Sequence, residues 1–437
     1  MKTHKKSSDK INIITLGCSK NIVDSEFLLA QLSAQSLNVE HDAENSDAKT
    51  IIINTCGFII DAKKESIDTI LRYAHLKASG HIENLYVIGC LAERYKKELL
   101  KEIPEVDAFF GVNDIRTIIQ GLGYNYYKEL IGDRILSTPK HFAYLKIAEG
   151  CNRKCSFCAI PFIRGIYISK PIETLVTEVK NLVKAGVKEI ILIAQDLSWY
   201  GRDIYKKPVL AELINQLSDI NGIEWIRLHY TYPADFPMNV LTEMKSRSNV
   251  CHYLDLPFQH ISDKVLKKMR RGNTSAQTYE LIDVIRDQVP DIALRTTLLT
   301  GHPGESEKDF IQLLDFVEKV KFDRLGIFAY SHEEDTYSYK NFKDTLPSKV
   351  KQKRVEDIMN LQQAISKELN HKKTGQTFKV LIDRIESNTG IGRTQYDSPE
   401  IDNEVIIENT DNSLKTGEFV NVKITAASEY DLIGNVI

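Results

Sequence analysis

CNRKCSFC, residues 151–158, sets Cys151, Cys155 and Cys158 in one short loop with three residues and then two between successive cysteines. A loop of that pitch can aim three sulfurs at one point, and a metal centre is its natural occupant. Structural zinc wants four closed ligands, and no fourth Cys or His stands close enough in sequence to complete a local knuckle. A four-iron, four-sulfur cubane normally takes four thiolates. Three would leave one iron with an open coordination site, able to hold a substrate or cofactor. Zinc stays open as the alternative at this point.

The chain holds seven cysteines in 437 residues, an odd number in a long chain, which is not the composition of a secreted disulfide scaffold. Reduced thiols are expected. Upstream of the loop, INIITLG (11–17), TIIIN (50–54) and LYVIG, ending at Gly89, read as strands. They alternate with helical stretches near Ile22–Leu32 and Ala62–Ala78. Such alternation implies a parallel sheet. Cys18, Cys56 and Cys90 each follow one of these strands, beside Gly17, Gly57 and Gly89. Ligands of open α/β sheets gather outside the carboxyl ends of the strands, and glycine lets backbones approach closely. A second three-cysteine centre is therefore expected; the competing reading is three half-buried core thiols. Cys251 has no partner in sequence and reads as a packed core thiol.

Downstream, FAYLKIA (142–148), EIILIAQ (189–195), WIRLHY (225–230), YLDLP (253–257), IALRTTLLTG (292–301) and RLGIFAY (324–330) are six strand candidates. Amphipathic stretches such as Ile172–Ala185 and Phe310–Val320 separate them. Six such units suggest a partial barrel with the cysteine loop at the carboxyl end of its first strand, where barrel active sites lie. Gln195, Asp196, Arg295 and Thr297 fall at or near strand ends and are candidate cofactor contacts. Arg270 and Arg271, after a helix and just before Gly272, could meet a carboxylate, but a solvated charged turn is the preferred reading. Pro347–Lys373 reads as one helix ended by Gly375. FKVLIDRIE (378–386), NEVIIEN (403–409), EFVNVKITAA (418–427) and DLIGNVI (431–437) then suggest a small antiparallel barrel. The expected segments are 1–140, 141–375 and 376–437, an α/β chain with a small β-barrel at its end.

Small barrels of this kind invite a nucleic-acid reading. Residues 376–437, however, carry three Lys and two Arg against five Asp and six Glu, a net of −6. That repels a phosphate backbone and attracts a basic protein. The whole chain is nearly neutral, with 57 basic against 60 acidic residues, so it is not a polycation built to coat nucleic acid. Its longest apolar runs, such as EIILIA (189–194), stop short of the roughly 18–20 residues a membrane span needs. The basic start MKTHKKSSDK leads into too short an apolar run for a signal sequence. A cytoplasmic location is expected.

The cysteine loop resembles the signature of the radical S-adenosylmethionine enzymes. Together with LGCSKNIVDSE (16–26), NTCGFI (54–59), QDLSWYG (195–201), LHYTYP (228–233) and YLDLPFQH (253–260), it resembles the methylthiotransferase family, RimO branch, over essentially the whole chain. The resemblance implies a radical S-adenosylmethionine domain of partial (βα)6 form, a TRAM-like terminal barrel, S-adenosyl-L-methionine, and two [4Fe-4S] clusters. Cys151, Cys155 and Cys158 would hold the radical-generating cluster, and Cys18, Cys56 and Cys90 the auxiliary one. The implied reaction adds a methylthio group to the β-carbon of an aspartate in ribosomal protein S twelve, free or within the small ribosomal subunit. It requires an electron donor and a sulfur source, and involves neither a membrane nor specific DNA. No catalytic residue beyond the cluster ligands is implied. The alternatives are methylthiolation of a modified adenosine in transfer RNA, and a zinc-stabilised RNA-binding module without turnover.

Overall fold

The computed structural model describes residues 10–112, 115–130, 132–408 and 413–437. Residues 1–9, which hold most of the basic leader, and Asn409 of the NEVIIEN run lie outside the described residues. The chain divides into two compact units. One comprises residues 1–138, 144–153 and 158–181, the other residues 139–143, 154–157 and 182–437.

The first unit is built on strands β1 (Ile11–Thr15), β2 (Val39–His41), β3 (Thr50–Thr55), β4 (Asn84–Gly89) and β5 (Ala108–Phe109). They pair in parallel in the order β2-β1-β3-β4-β5. Helices Ser19–Ser33, Ile60–Ala78, Cys90–Glu102 and Ile115–Gly121 connect and cover them. The unbroken TIII run follows from burial on both faces. Ile51 and Ile53 pack with Ile70, Leu85, Val87 and Leu91, whereas Ile52 packs on the other face with Ile13, Leu28, Ile88 and Ile118. The strand order reverses between β1 and β3, the position at which doubly wound sheets open a crevice. β1, β3 and β4 are neighbours in the sheet, so the three loops leaving their carboxyl ends are adjacent.

Next along the chain come β6 (Phe142–Lys146), β7 (Ala148–Glu149) and β8 (Ile168–Ser169), the last two an antiparallel pair. The second unit carries β9 (Glu189–Ile193), β10 (Trp225–Leu228), β11 (Val250–Asp255), β12 (Ala293–Thr300) and β13 (Arg324–Ala329). The sheet order is β13-β12-β11-β10-β9-β6, and β9 to β13 pair in parallel, a partial (βα)6 barrel as expected. Helix Ser348–His371 follows. The chain then closes a barrel from β14 (Thr377–Glu386), β15 (Thr389–Thr394), β16 (Val405–Glu408), β17 (Phe419–Ala427) and β18 (Leu432–Val436). Among the described residues, no helix is long and apolar enough to cross a membrane.

β15, TGIGRT, is a strand that hydrophobic patterning missed. Its glycines weaken intrinsic strand preference, but Gly392 lies so close to β14 that a Cβ there would stand 2.4 Å from the Leu381 carbonyl oxygen. The loop after β15 packs against β10, β11 and β13 of the partial barrel. Arg227 donates to the Gln395 carbonyl at 2.7 Å, Arg324 pairs with Asp397, Ser398 Oγ lies 2.8 Å from His229 Nε2, and Tyr253 donates to Asp402 at 2.7 Å. Below it, Glu189 is shared between Arg227 (2.8 Å) and Arg393 (2.5 Å), all three buried. The two barrels are therefore one packed body.

Candidate metal centres

In the first unit the structure brings Cys18, Cys56 and Cys90 together. Cys18 caps helix Ser19–Ser33, Cys56 follows β3, and Cys90 opens helix Cys90–Glu102. Each neighbouring glycine is required by contact. A Cβ on Gly17 (φ +94°) would lie 2.8 Å from Cys56 Cβ, and one on Gly57 would lie 2.8 Å from the Leu91 backbone nitrogen. One on Gly89 (φ +94°) would lie 2.4 Å from Asn54 Oδ1 and 2.7 Å from the Thr55 carbonyl oxygen. Ser66 holds Cys56 at both ends, accepting from its N–H at 3.1 Å and donating to its carbonyl at 2.9 Å.

Burial pushes the Cys90 thiol up to about 12 against the pull of Arg164, and burial raises Cys56 as well. Thiols in such a place would ionise only beside positive charge, which the irons of a cluster would supply. Among the described residues, no three His, Cys, Asp or Glu side chains converge closely enough for a single metal ion. Three thiolates delivered by adjacent loops are the donor type that an iron–sulfur cluster takes.

The end of the CNRKCSFC loop belongs to the same unit. Ala159, directly after Cys158, and Ile163 pack against Cys90. Arg164, almost fully buried, donates to Asn21 Oδ1 at 2.6 Å and to Glu149 at 3.0 Å; Asn21 in turn donates to the Leu16 and Thr55 carbonyls. Lys146 pairs with Asp24 and, at 2.7 Å, with Glu149. Burial would raise the Glu149 carboxyl, but Lys146 and Arg164 overcome it and hold it at about 2. Spacing pointed to none of these partners, although Asn21 and Asp24 sit inside LGCSKNIVDSE. At the start of the loop, Gly150 (φ +72°) passes so close to Ile166 that a Cβ would lie 2.0 Å from its carbonyl oxygen, and Cys151 N–H donates to the Gly165 carbonyl at 3.1 Å. Beside these groups is a cavity of about 620 Å³ lined by Asn54, Gly89, Asp24, Lys146, Glu149 and Lys170 among others.

Cys155 belongs to the second unit. Its Sγ lies 3.3 Å from Arg271 Nη1 and 3.6 Å from Tyr232 Oη. Arg271 is thus a correction to the sequence reading: it is buried beside a cysteine rather than solvated. Arg270 does face outward, stacked 3.8 Å from the Tyr337 ring centroid. Ser156 is pinned by Met269, His302 and Ser338. Asp196, buried, accepts from the Ser198 N–H at 2.9 Å and adds to the field on Arg271. Gln195 is half-buried at the end of β9, and Thr297 is half-buried in mid-strand, its carbonyl accepting from Gln259 at 2.9 Å. Arg295 lies near the start of β12 and is paired with Asp255 (3.3 Å) and Asp402 (3.4 Å). Cys251 is a fully buried thiol among Trp225, Tyr253 and Leu381.

Three family models match: the uncharacterized protein family UPF0004 over residues 10–111, the radical SAM superfamily over 145–317 and the TRAM domain over 374–437. A protein of Cytophaga hutchinsonii named ribosomal protein uS12 methylthiotransferase RimO is 54% identical over 437 residues, covering 100% of both chains. The chain belongs to the RimO family. RimO proteins of Flavobacterium johnsoniae (54% identical, 99% of each chain) and Bacteroides thetaiotaomicron (53% identical, 98% of each) match at similar length. Among solved structures, the radical S-adenosylmethionine methyltransferase TsrM of Kitasatospora setae superposes with a TM-score of 0.55 at 12% identity over 73% of each chain. The radical enzyme OxsB superposes with a TM-score of 0.52 at 14% identity, over 80% of this chain and 56% of its own. These two likenesses show a shared fold. As a RimO family member the chain is a radical S-adenosylmethionine transferase.

Proposed function

We propose that this chain transfers a methylthio group to the β-carbon of an aspartate in ribosomal protein S twelve, working in the cytoplasm with a separate electron donor and sulfur source. Cys151, Cys155 and Cys158 hold the radical-generating [4Fe-4S] cluster, and Cys18, Cys56 and Cys90 hold the auxiliary one. The observation that carries the reading is the placement of three cysteines at the ends of adjacent strands, beside three glycines that admit no side chain, in a chain that also holds the three-cysteine loop. Full-length identity of 53–54% to proteins named as uS12 methylthiotransferases supports the substrate. When bound, the clusters supply the electron that cleaves S-adenosylmethionine and the iron that carries the transferred sulfur. The chain's own residues hold the sites in place: Asn21 and Arg164 tie the Cys90 helix to the end of the cysteine loop, and Ser156 fixes the loop's middle. Gln195, Asp196 and Thr297 remain the proposed S-adenosylmethionine contacts, whereas Arg295 is already engaged by two carboxylates.

The test is anaerobic incubation of reconstituted protein with reductant, sulfide and S-adenosylmethionine, offering small ribosomal subunits and bulk transfer RNA together. A methylthio increment on an aspartate of the ribosomal protein is expected. An increment confined to an adenosine would overturn the substrate. Substituting either cysteine trio by alanine should take iron from about eight to about four per chain; a single zinc per trio, without sulfide, would overturn the cluster reading.

A further inference from the structure

Helix Asp263–Met269 ends on Arg270 in the left-handed region (φ +57°), and Gly272 (φ +76°) continues the reversal. The turn is closed by the Arg271 N–H donating to the Leu266 carbonyl at 3.1 Å. Its effect is to drive Arg271 inward, where only 5% of the residue stays exposed. Nη1 donates to Cys155 Sγ at 3.3 Å and Nη2 to the Pro257 carbonyl at 2.5 Å. The guanidinium stacks 4.1 Å from the Tyr232 ring centroid, and Tyr232 Oη donates to the Arg271 carbonyl at 2.7 Å. Side chain and backbone of Arg271 are thus clamped by one tyrosine. Nε is buried with no hydrogen-bond partner.

Burying a guanidinium is costly unless negative charge meets it. Here the partner of Nη1 is a sulfur, and the orphaned Nε signals that a further acceptor belongs in this place. We propose that Arg271 is a positioning residue for the radical-generating cluster: it donates to the Cys155 thiolate and raises the cluster's reduction potential. This rests on the reading of Cys155 as a cluster ligand. Hydrogen bonds to cysteine sulfurs and the net charge around a cluster are the protein's main controls on its potential. A fixed cation donating to sulfur stabilises the state with the extra electron, so electron entry becomes easier. The planar fork also matters, because it serves Cys155 and Pro257 at once.

The measurement is an anaerobic redox titration by electron paramagnetic resonance, with iron and sulfide counted in each sample. It follows the signal that shifts when S-adenosylmethionine is added, which singles out the cluster that binds S-adenosylmethionine. In Arg271→Gln the ratio of reduced to oxidised cluster at fixed poise should fall at least tenfold, about 59 mV for a one-electron couple. Arg271→Lys should fall by less, since it keeps the charge but cannot hold both partners. An unchanged potential in a fully loaded, S-adenosylmethionine-responsive Arg271→Gln protein overturns this inference alone. If that variant does not load iron, Arg271→Lys decides: a loaded cluster at the wild-type potential overturns it equally. Absence of any responsive signal in the wild-type protein would instead sink the reading of Cys155, and this inference with it.

Discussion

Gly89→Ala tests whether strand-end geometry is what builds the auxiliary site. Gly89 has φ +94° and ψ −159°, a region open essentially to glycine alone, and holding another residue there costs about 1–3 kcal/mol. The added Cβ would also meet the Thr55 carbonyl oxygen at 2.7 Å and the Thr55 nitrogen at 2.9 Å. Those are backbone atoms of the central strand β3 and cannot swing aside, so overpacking adds about 1–3 kcal/mol. The total is about 2–6 kcal/mol, a large part of the 5–15 kcal/mol typical of a domain. Gly80→Ala is the control: its φ is +76°, yet nothing lies within 4 Å of the added Cβ. It bears the left-handed cost alone, about 1–2 kcal/mol. Urea unfolding of the apo proteins, beside iron counts after anaerobic reconstitution, separates the two. Gly89→Ala should unfold at markedly lower urea and lose the auxiliary cluster's share of iron, whereas Gly80→Ala keeps its iron. Equal unfolding midpoints with full iron in both variants would refute the argument that β3 and β4 leave no room beside Cys90.

Glu189→Gln leaves Arg227 and Arg393 buried together, with Asp383, on Arg393 at 2.8 Å, as the remaining carboxylate, and should destabilise the second unit by about 3–5 kcal/mol, read as a drop in its thermal midpoint. Burial lowers His302 from 6.5 to about 4. The unfolded chain therefore takes up this proton first as pH falls, and the stability that neutral His302 contributes is fully present above pH 6.5 and lost on the way down to about pH 4. The loss is about 3 kcal/mol, and His302→Asn should flatten that part of a stability-against-pH curve.

The architecture was legible where sequence period and chemistry coincide. TIIIN reads as a strand because both faces of β3 are covered, and the three cysteines after apolar runs mark carboxyl ends whichever way the strands are ordered in the sheet. The cysteine loop is local by construction, so spacing alone exposes it. What stayed hidden depends on partners far apart in the chain. Arg271 looks like a solvated turn residue because its neighbours are Arg270 and Gly272; its fate is decided by Cys155, 116 residues earlier. Arg295 looked like a cofactor contact because its strand leads toward the site, but it lies near the start of that strand, against Asp402 from the loop after β15. β15 itself was lost because glycines that make close approach possible also erase the hydrophobic pattern.

The same contrast bears on how the terminal barrel is used. Its loop carries Asp397 and Asp402 into Arg324 and Arg295, and its strand residue Arg393 completes the pair with Glu189. Part of the acidic excess read from residues 376–437 is therefore consumed inside the second unit rather than displayed to a partner. The charge argument against RNA weakens by the balance of those groups, two aspartates less one arginine. Glu386 and Glu404 are likewise satisfied, both by Arg384. Discrimination between a basic ribosomal protein and RNA must then rest on the carboxylates that stay uncompensated at the surface, and on the cavity chemistry of the centres themselves. That is why the competition between ribosomal subunits and transfer RNA, rather than net charge, is the decisive measurement of substrate.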